Sequence, residues 1–72
     1  MQRIINIVKK RAKRKFDEND NLIQNAIIDS IDFISIMLEL EREFNVKIDF
    51  TEVEPQNLTT IKGLWRFING LE

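Results

Sequence analysis

The sequence predicts an all-α fold: a small bundle of three main helices plus one short helix, with a long loop between the first and second helices. Three observations predict it. Apolar residues recur at three- and four-residue steps in separate segments. Helix-starting and helix-stopping residues bracket those segments. No segment alternates apolar and polar residues long enough to suggest a strand. A chain of 72 residues allows one domain at most, so residues 1–72 are expected to form a single domain. At this size only ~60% of the unfolded surface is buried, so the core is small.

The first element is read over residues 2–16, where Ile4/Ile5, Val8, Ala12 and Phe16 keep helical period. Basic residues fill its other faces. Asp17-Glu18-Asn19-Asp20-Asn21 then supplies turn-forming residues and ends it. Leu22 to Ile28 is an apolar-rich connection expected to pack partly inward. A loop longer than ~12 residues in a small domain is unusual and often functional.

The second and strongest helix spans roughly 30–44. Asp29 or Ser30 can accept hydrogen bonds from its free N–H groups, and Asp32 suits the positive end of its dipole. Asn45 is the expected stop. At ~100° per residue, Phe33, Ile36, Met37, Leu40 and Phe44 form a core stripe between ~140° and ~240° from Ile31. Ile31, Ile34 and Leu38 form a second apolar strip, and Asp32, Glu39 and Glu43 an acidic one. Two readings of the surplus strip stand: neighbouring helices bury it, or it is a docking strip rimmed by acids. Lys47 to Phe50 is linker. Thr51-Glu52-Val53-Glu54 fits a capping box that opens the short helix, with Pro55 close behind. Thr59-Thr60 caps the last helix, in which Ile61, Leu64, Trp65 and Ile68 are expected in the core. Asn69-Gly70 is its expected end.

Composition removes several function classes. The chain has no Cys and no His. Disulfides and Cys/His zinc sites are excluded, and the usual general base and strongest nucleophile are both missing. No catalytic residue and no metal site is expected. Asp17-x-Asn19-x-Asn21 starts like a calcium loop, but Leu22 replaces the required Gly and Ile28 the required Glu. There is no secretory signal and no apolar run near the ~20 residues of a membrane span, so a cytoplasmic location is expected. The formal net charge of −1 hides a split. Residues 1–15 hold seven basic residues (Arg3, Lys9, Lys10, Arg11, Lys13, Arg14, Lys15) and no acid. Residues 16–72 hold four basic residues and all 12 acids.

Asp29-Ser30-Ile31-Asp32 is the segment that points to chemistry. It places a hydroxyl at a helix start, after a long loop, between acids. A phosphate ester formed there would meet free N–H groups and the positive end of the helix dipole. Downstream come Leu38-Glu39-Leu40-Glu41-Arg42-Glu43-Phe44-Asn45-Val46-Lys47-Ile48 and Pro55-Gln56-Asn57-Leu58-Thr59-Thr60-Ile61. In this order and spacing, over about residues 20–70, the chain strongly resembles acyl carrier proteins. In that family Asp-Ser-Leu opens a helix that ends in an acidic cluster and Phe, and a Pro-Glu-Asn-like segment leads to the last helix.

The resemblance implies an acyl-carrier-like fold and a non-catalytic carrier. Ser30 would receive 4′-phosphopantetheine from coenzyme A. Asp29 matches the family's preceding Asp, and Ile31 replaces the usual Leu beside the arm. Asp32, Glu39, Glu41 and Glu43, with Ile34 and Leu38, lie on the helix that partner enzymes read. The modifying phosphopantetheinyl transferase acts in trans, activating the Ser30 hydroxyl to attack the pyrophosphate of coenzyme A. Other expected partners load and process acyl or aminoacyl groups, held as thioesters, in fatty-acid-like or specialised biosynthesis. The carrier is expected to be a monomer. Its acidic rim would steer it to basic enzyme faces in a salt-sensitive way.

Helix 1 departs from the family, whose fatty-acid members are acidic throughout. An alternative is a small basic helical module binding nucleic acid or anionic membrane through residues 3–15. Nucleic acid is not expected as a partner, because the remaining chain is acidic and the basic segment has no interleaved aromatic for stacking. Membrane contact is the less favoured reading of that helix. Its plainer role is a solvated face that neutralises the acidic remainder.

Overall fold

A computed structural model describes residues 1–51, 53 and 58–71. The described residues form three helices and no strand: α1 (Gln2–Lys9), α2 (Ser30–Phe44) and α3 (Ile61–Leu71). The short helix expected from Thr51-Glu52-Val53-Glu54 onward falls largely outside the described residues.

α1 packs against both α2 and α3. It can do so because Ile4, Ile7 and Val8 are buried along its length. These meet Ile36, Met37 and Leu40 of α2 and Ile61, Leu64 and Ile68 of α3 in one core. Ion pairs run from Arg3–Glu43, through Lys10 and Arg11 on Glu39, to Lys13–Asp29. The descending partner numbers mean that this segment runs antiparallel to α2.

The first helix is shorter than its apolar period predicts. It stops at Lys9, and Lys10, Arg11 and Ala12 complete one further turn onto the Val8 carbonyl. Lys13 then donates its N–H to the Ile27 carbonyl at 2.8 Å, tying the chain to the loop instead. Continuing the helix would stack Lys9 on Lys13, Lys10 on Arg14 and Arg11 on Lys15, all unfavourable like-charge pairs at i,i+4. Ala12 and Phe16 still pack partly buried against the core. The pattern marked burial correctly and backbone wrongly.

The long loop is ordered by its own polar groups. Asp17 Oδ1 accepts from the N–H groups of Asn19 and Asp20, a local side-chain turn. Leu22, Ile27 and Ile28 are buried, as expected of an inward-packing connection. Ile27 N–H bonds the Leu22 carbonyl and Ala26 N–H bonds that of Ile23, the paired bonds of a Schellman ending. Its left-handed position is Ala26, with φ 57°. Leu22 N–H reaches the Thr59 carbonyl at 2.7 Å and fastens the loop to the start of α3.

α3 begins on Thr60, whose Oγ1 accepts from Gly63 N–H at 3.0 Å. It continues through Asn69-Gly70 to Leu71, past the stop read from the sequence. Trp65 departs from its expected place in the core, with 39% of its surface exposed. The buried line is Ile61, Leu64 and Ile68, and Trp65 sits ~70° from its centre at helical spacing. α1 is the main helix packed on α3.

Candidate functional site

α2 starts through reciprocal capping. Asp29 is the N-cap, with extended backbone at φ −102° and ψ −179°. Its Oδ1 accepts from Asp32 N–H at 2.7 Å, and Asp32 Oδ2 accepts from Asp29 N–H at 3.3 Å. The sequence left the cap open between Asp29 and Ser30, and the structure gives it to Asp29. Ser30 is therefore the first residue inside the helix. It is exposed, and its hydroxyl makes no hydrogen bond to a described residue.

Charge around the serine comes from two elements. Lys13, on the loop after α1, places its ammonium 3.4 Å from Asp29 Oδ2. The Asp32 N–H bond holds the Asp29 carboxyl below its ordinary range against the opposing effect of desolvation, and Lys13 adds to the lowering. An exposed hydroxyl, free N–H groups at a helix start and a nearby ammonium together suit an anionic ester. The donor set at Ser30 thus fits a phosphodiester.

The surplus apolar strip of α2 stays open to solvent. Ile31 is 75% exposed, Ile34 54% and Leu38 44%. None of the described helices covers it, so burial of the strip between neighbouring helices is not what is found among the described residues. The core stripe lies as expected: Ile36, Met37 and Leu40 are buried, while Phe33 and Phe44 are partly buried.

The carboxylates of α2 are all engaged within the fold. Glu39 binds Lys10 at 2.7 Å and Arg11 at 2.8 Å, and these bonds hold its carboxyl below the ordinary range. Glu43 takes Arg3 at 3.2 Å, and the same guanidinium donates to the Glu43 carbonyl at 2.7 Å. Arg3 also lies 4.3 Å from the centre of the Phe44 ring. A cation there meets the negative end of the α2 dipole. Glu41 accepts from Ile48 N–H at 2.7 Å, and Asp32 closes the cap. The sequence reading expected the basic segment to neutralise the acidic remainder but did not assign Arg3, Lys10, Arg11 and Lys13 to α2 and its cap. The signal was available, as a basic run preceding a helix with an acidic stripe.

A helical bundle with a free serine on the first turn of its second helix is the arrangement expected of a carrier domain. The family model described as "Phosphopantetheine attachment site" matches residues 2–68, and the chain belongs to that family. It is a phosphopantetheine carrier protein, and its family carries 4′-phosphopantetheine covalently and is not catalytic. The chain is also 29% identical, over 56 residues, to an acyl carrier protein of Buchnera aphidicola subsp. Baizongia pistaciae (strain Bp). That match covers 78% of this chain and 69% of the relative. No solved structure matches. Among the described residues, no helix is long and apolar enough to cross a membrane.

Proposed function

We infer that residues 1–72 act as one carrier domain and that Ser30 is the attachment point for 4′-phosphopantetheine. The observation that carries this reading is the one-residue offset between cap and serine. Asp29 does the capping, so the Ser30 hydroxyl at the first turn of α2 is left exposed, with no hydrogen bond to a described residue. Sequence context supports the same position, through Asp29-Ser30-Ile31 and the downstream segments.

In this reading the Ser30 oxygen attacks the pantetheine-side phosphorus of the coenzyme A pyrophosphate, the P–O–P bond breaks, a phosphodiester forms on Ser30 and adenosine 3′,5′-bisphosphate leaves. No described side chain is placed to take the hydroxyl proton, so the base belongs to a separate transferase. Asp29 and Asp32 fix the helix start, the first N–H groups of α2 face the ester, and Lys13 offsets its charge. Once attached, the arm supplies the thiol that this Cys-free chain lacks, for thioester linkage of acyl or aminoacyl groups. The rigid turn and the flexible arm together raise the local concentration of cargo at a docked enzyme. Ile31, Ile34 and Leu38, beside the attachment point, are the contact strip for the transferase and for loading and processing enzymes. The pathway is fatty-acid-like or specialised biosynthesis.

Incubation with coenzyme A and a broad-specificity phosphopantetheinyl transferase, read by intact mass and peptide mapping, tests the assignment. One phosphopantetheine on the peptide containing Ser30 is expected. A modified Ser30→Ala chain would falsify it. The nucleic-acid alternative loses ground for a specific reason: Arg3, Lys10, Arg11 and Lys13 already hold carboxylates of this chain.

A further inference from the structure

The fold divides the basic run of residues 9–15 into two sets. Lys10 and Arg11 share Glu39, and Lys13 meets Asp29. Lys9, Arg14 and Lys15 have no ion-pair partner among the described residues. With Lys13, Ala12 and Phe16 they line an open surface depression of about 590 Å³. Ala12 and Phe16 are half-buried and give it an apolar side. No described carboxylate lines it. The acids that follow in sequence are engaged elsewhere. Asp17 Oδ1 accepts from the N–H groups of Asn19 and Asp20, Asp20 Oδ2 accepts from Asp17 N–H, and Glu18 lies 3.6 Å from Lys62 Nζ.

The depression begins beside the attachment point. Lys13 belongs to both: its ammonium is 3.4 Å from Asp29 Oδ2, and its N–H meets the Ile27 carbonyl at 2.8 Å. Side chain and backbone of one lining residue therefore touch the segment that leads directly into Ser30.

We propose that this depression holds the far end of the group carried on Ser30, and that the cargo it suits is an acyl chain ending in a carboxylate. The proposal names the cargo of the same serine and rests on the carrier reading. Size and lining suit a small anion, since the volume lies within the ~300–1,000 Å³ of small-molecule sites and an apolar side faces converging charges. A bilayer or a nucleic acid is the weaker occupant. A broad polyanion laid across residues 9–15 also meets Asp17, Glu18 and Asp20 as like charges, whereas a group within the depression does not. Exposed cations hold a free carboxylate weakly. Tethering changes that, because a short flexible linker sets an effective concentration in the millimolar range, ~1 mM or more. A site too weak to retain a free acid is thereby filled by one attached at Ser30.

The test compares two acyl groups of equal length, one ending in a carboxylate and one in a methyl group. A phosphopantetheinyl transferase loads the full chain from glutaryl- or pentanoyl-coenzyme A, and backbone amide signals are read by NMR. The glutaryl form is expected to differ from the pentanoyl form at Lys9 and at Lys13 to Phe16. Arg14→Gln/Lys15→Gln, or ~1 M salt, should shrink that difference about threefold or more. Neither substituted residue pairs within the described fold, and circular dichroism reports the folding of the variant. Identical signals in the two forms, a difference confined to other residues, or one that survives both the variant and the salt overturns the proposal. A second arm separates it from the carrier reading. Ser30→Cys supplies the only thiol of the chain, which is alkylated with a linker of arm length ending in a carboxylate or a methyl group. Failure of the native chain to load overturns the carrier reading, and the linker arm then decides the site. Equal signals for its two ends overturn the proposal, and a carboxylate-specific shift at residues 9–16 sustains it.

Discussion

Ser30 lies one residue inside α2, and that offset determines what its hydroxyl can do. A serine at the cap itself would give its oxygen to backbone N–H groups; here Asp29 accepts the Asp32 N–H instead. Asp29→Ala should therefore lower the melting temperature while leaving Ser30 exposed, which a thermal melt checks. The pH dependence follows from the directions of the shifts. Asp29 and Glu39 titrate below their ordinary range in the fold, so their stabilisation is complete above the unfolded carboxylate pKa, ~4. It is lost as pH falls through the lower folded values. The stability gap between the native chain and Glu39→Gln should be constant near neutrality and close in acid, as urea titrations at several pH values would show. Legibility at this scale differs between two left-handed residues. Asn45, with φ 53°, was readable because Asn tolerates that conformation. Ala26 was not, because alanine carries no signal for it; burial of Leu22 and Ile27 and the Lys13–Ile27 bond impose it. Ala26→Gly should stabilise the fold by up to about 1 kcal/mol, since relief of left-handed strain exceeds the entropic cost of Gly. A lower urea midpoint in that variant would contradict this account of the loop.

α2 was legible almost residue for residue, because cap, stripe and stop agree within one segment. α1 was legible only as a buried face. Periodicity reports which side chains point inward, and Ala12 and Phe16 do so without a helical backbone. Where a run of like charges makes helix costly, a tertiary hydrogen bond can take over the backbone. Trp65 illustrates the complementary limit: a position at the edge of a helical stripe is buried only if a neighbour reaches it. A mutational ranking follows. Ile4→Ala and Ile61→Ala remove fully buried side chains and should each cost about 2–5 kcal/mol. That is a large share of the ~5–15 kcal/mol that holds a domain together. Trp65→Ala, despite its larger volume, should cost less than either. Chemical denaturation of the three variants tests the order.

For the whole molecule, the net charge of −1 describes two opposed surfaces folded onto each other. Their pairing was only half visible in the sequence, because a charge run shows its sign and not its partner. Exposed pairs of this kind contribute ~0–1 kcal/mol each and are screened by salt. Stability should fall modestly between low and high salt, and Glu39→Gln should remove most of that sensitivity in parallel melts, since Glu39 holds two of the cations. The attached group links this architecture to function, as the fold keeps one serine oxygen free at the start of a capped helix. Intact mass spectrometry of the native chain and of Ser30→Ala, each incubated with coenzyme A and a broad-specificity transferase, addresses that point most directly. The native chain should gain one phosphopantetheine on Ser30 and the variant none. A native chain that stays unmodified, or a variant that is modified, would contradict the account.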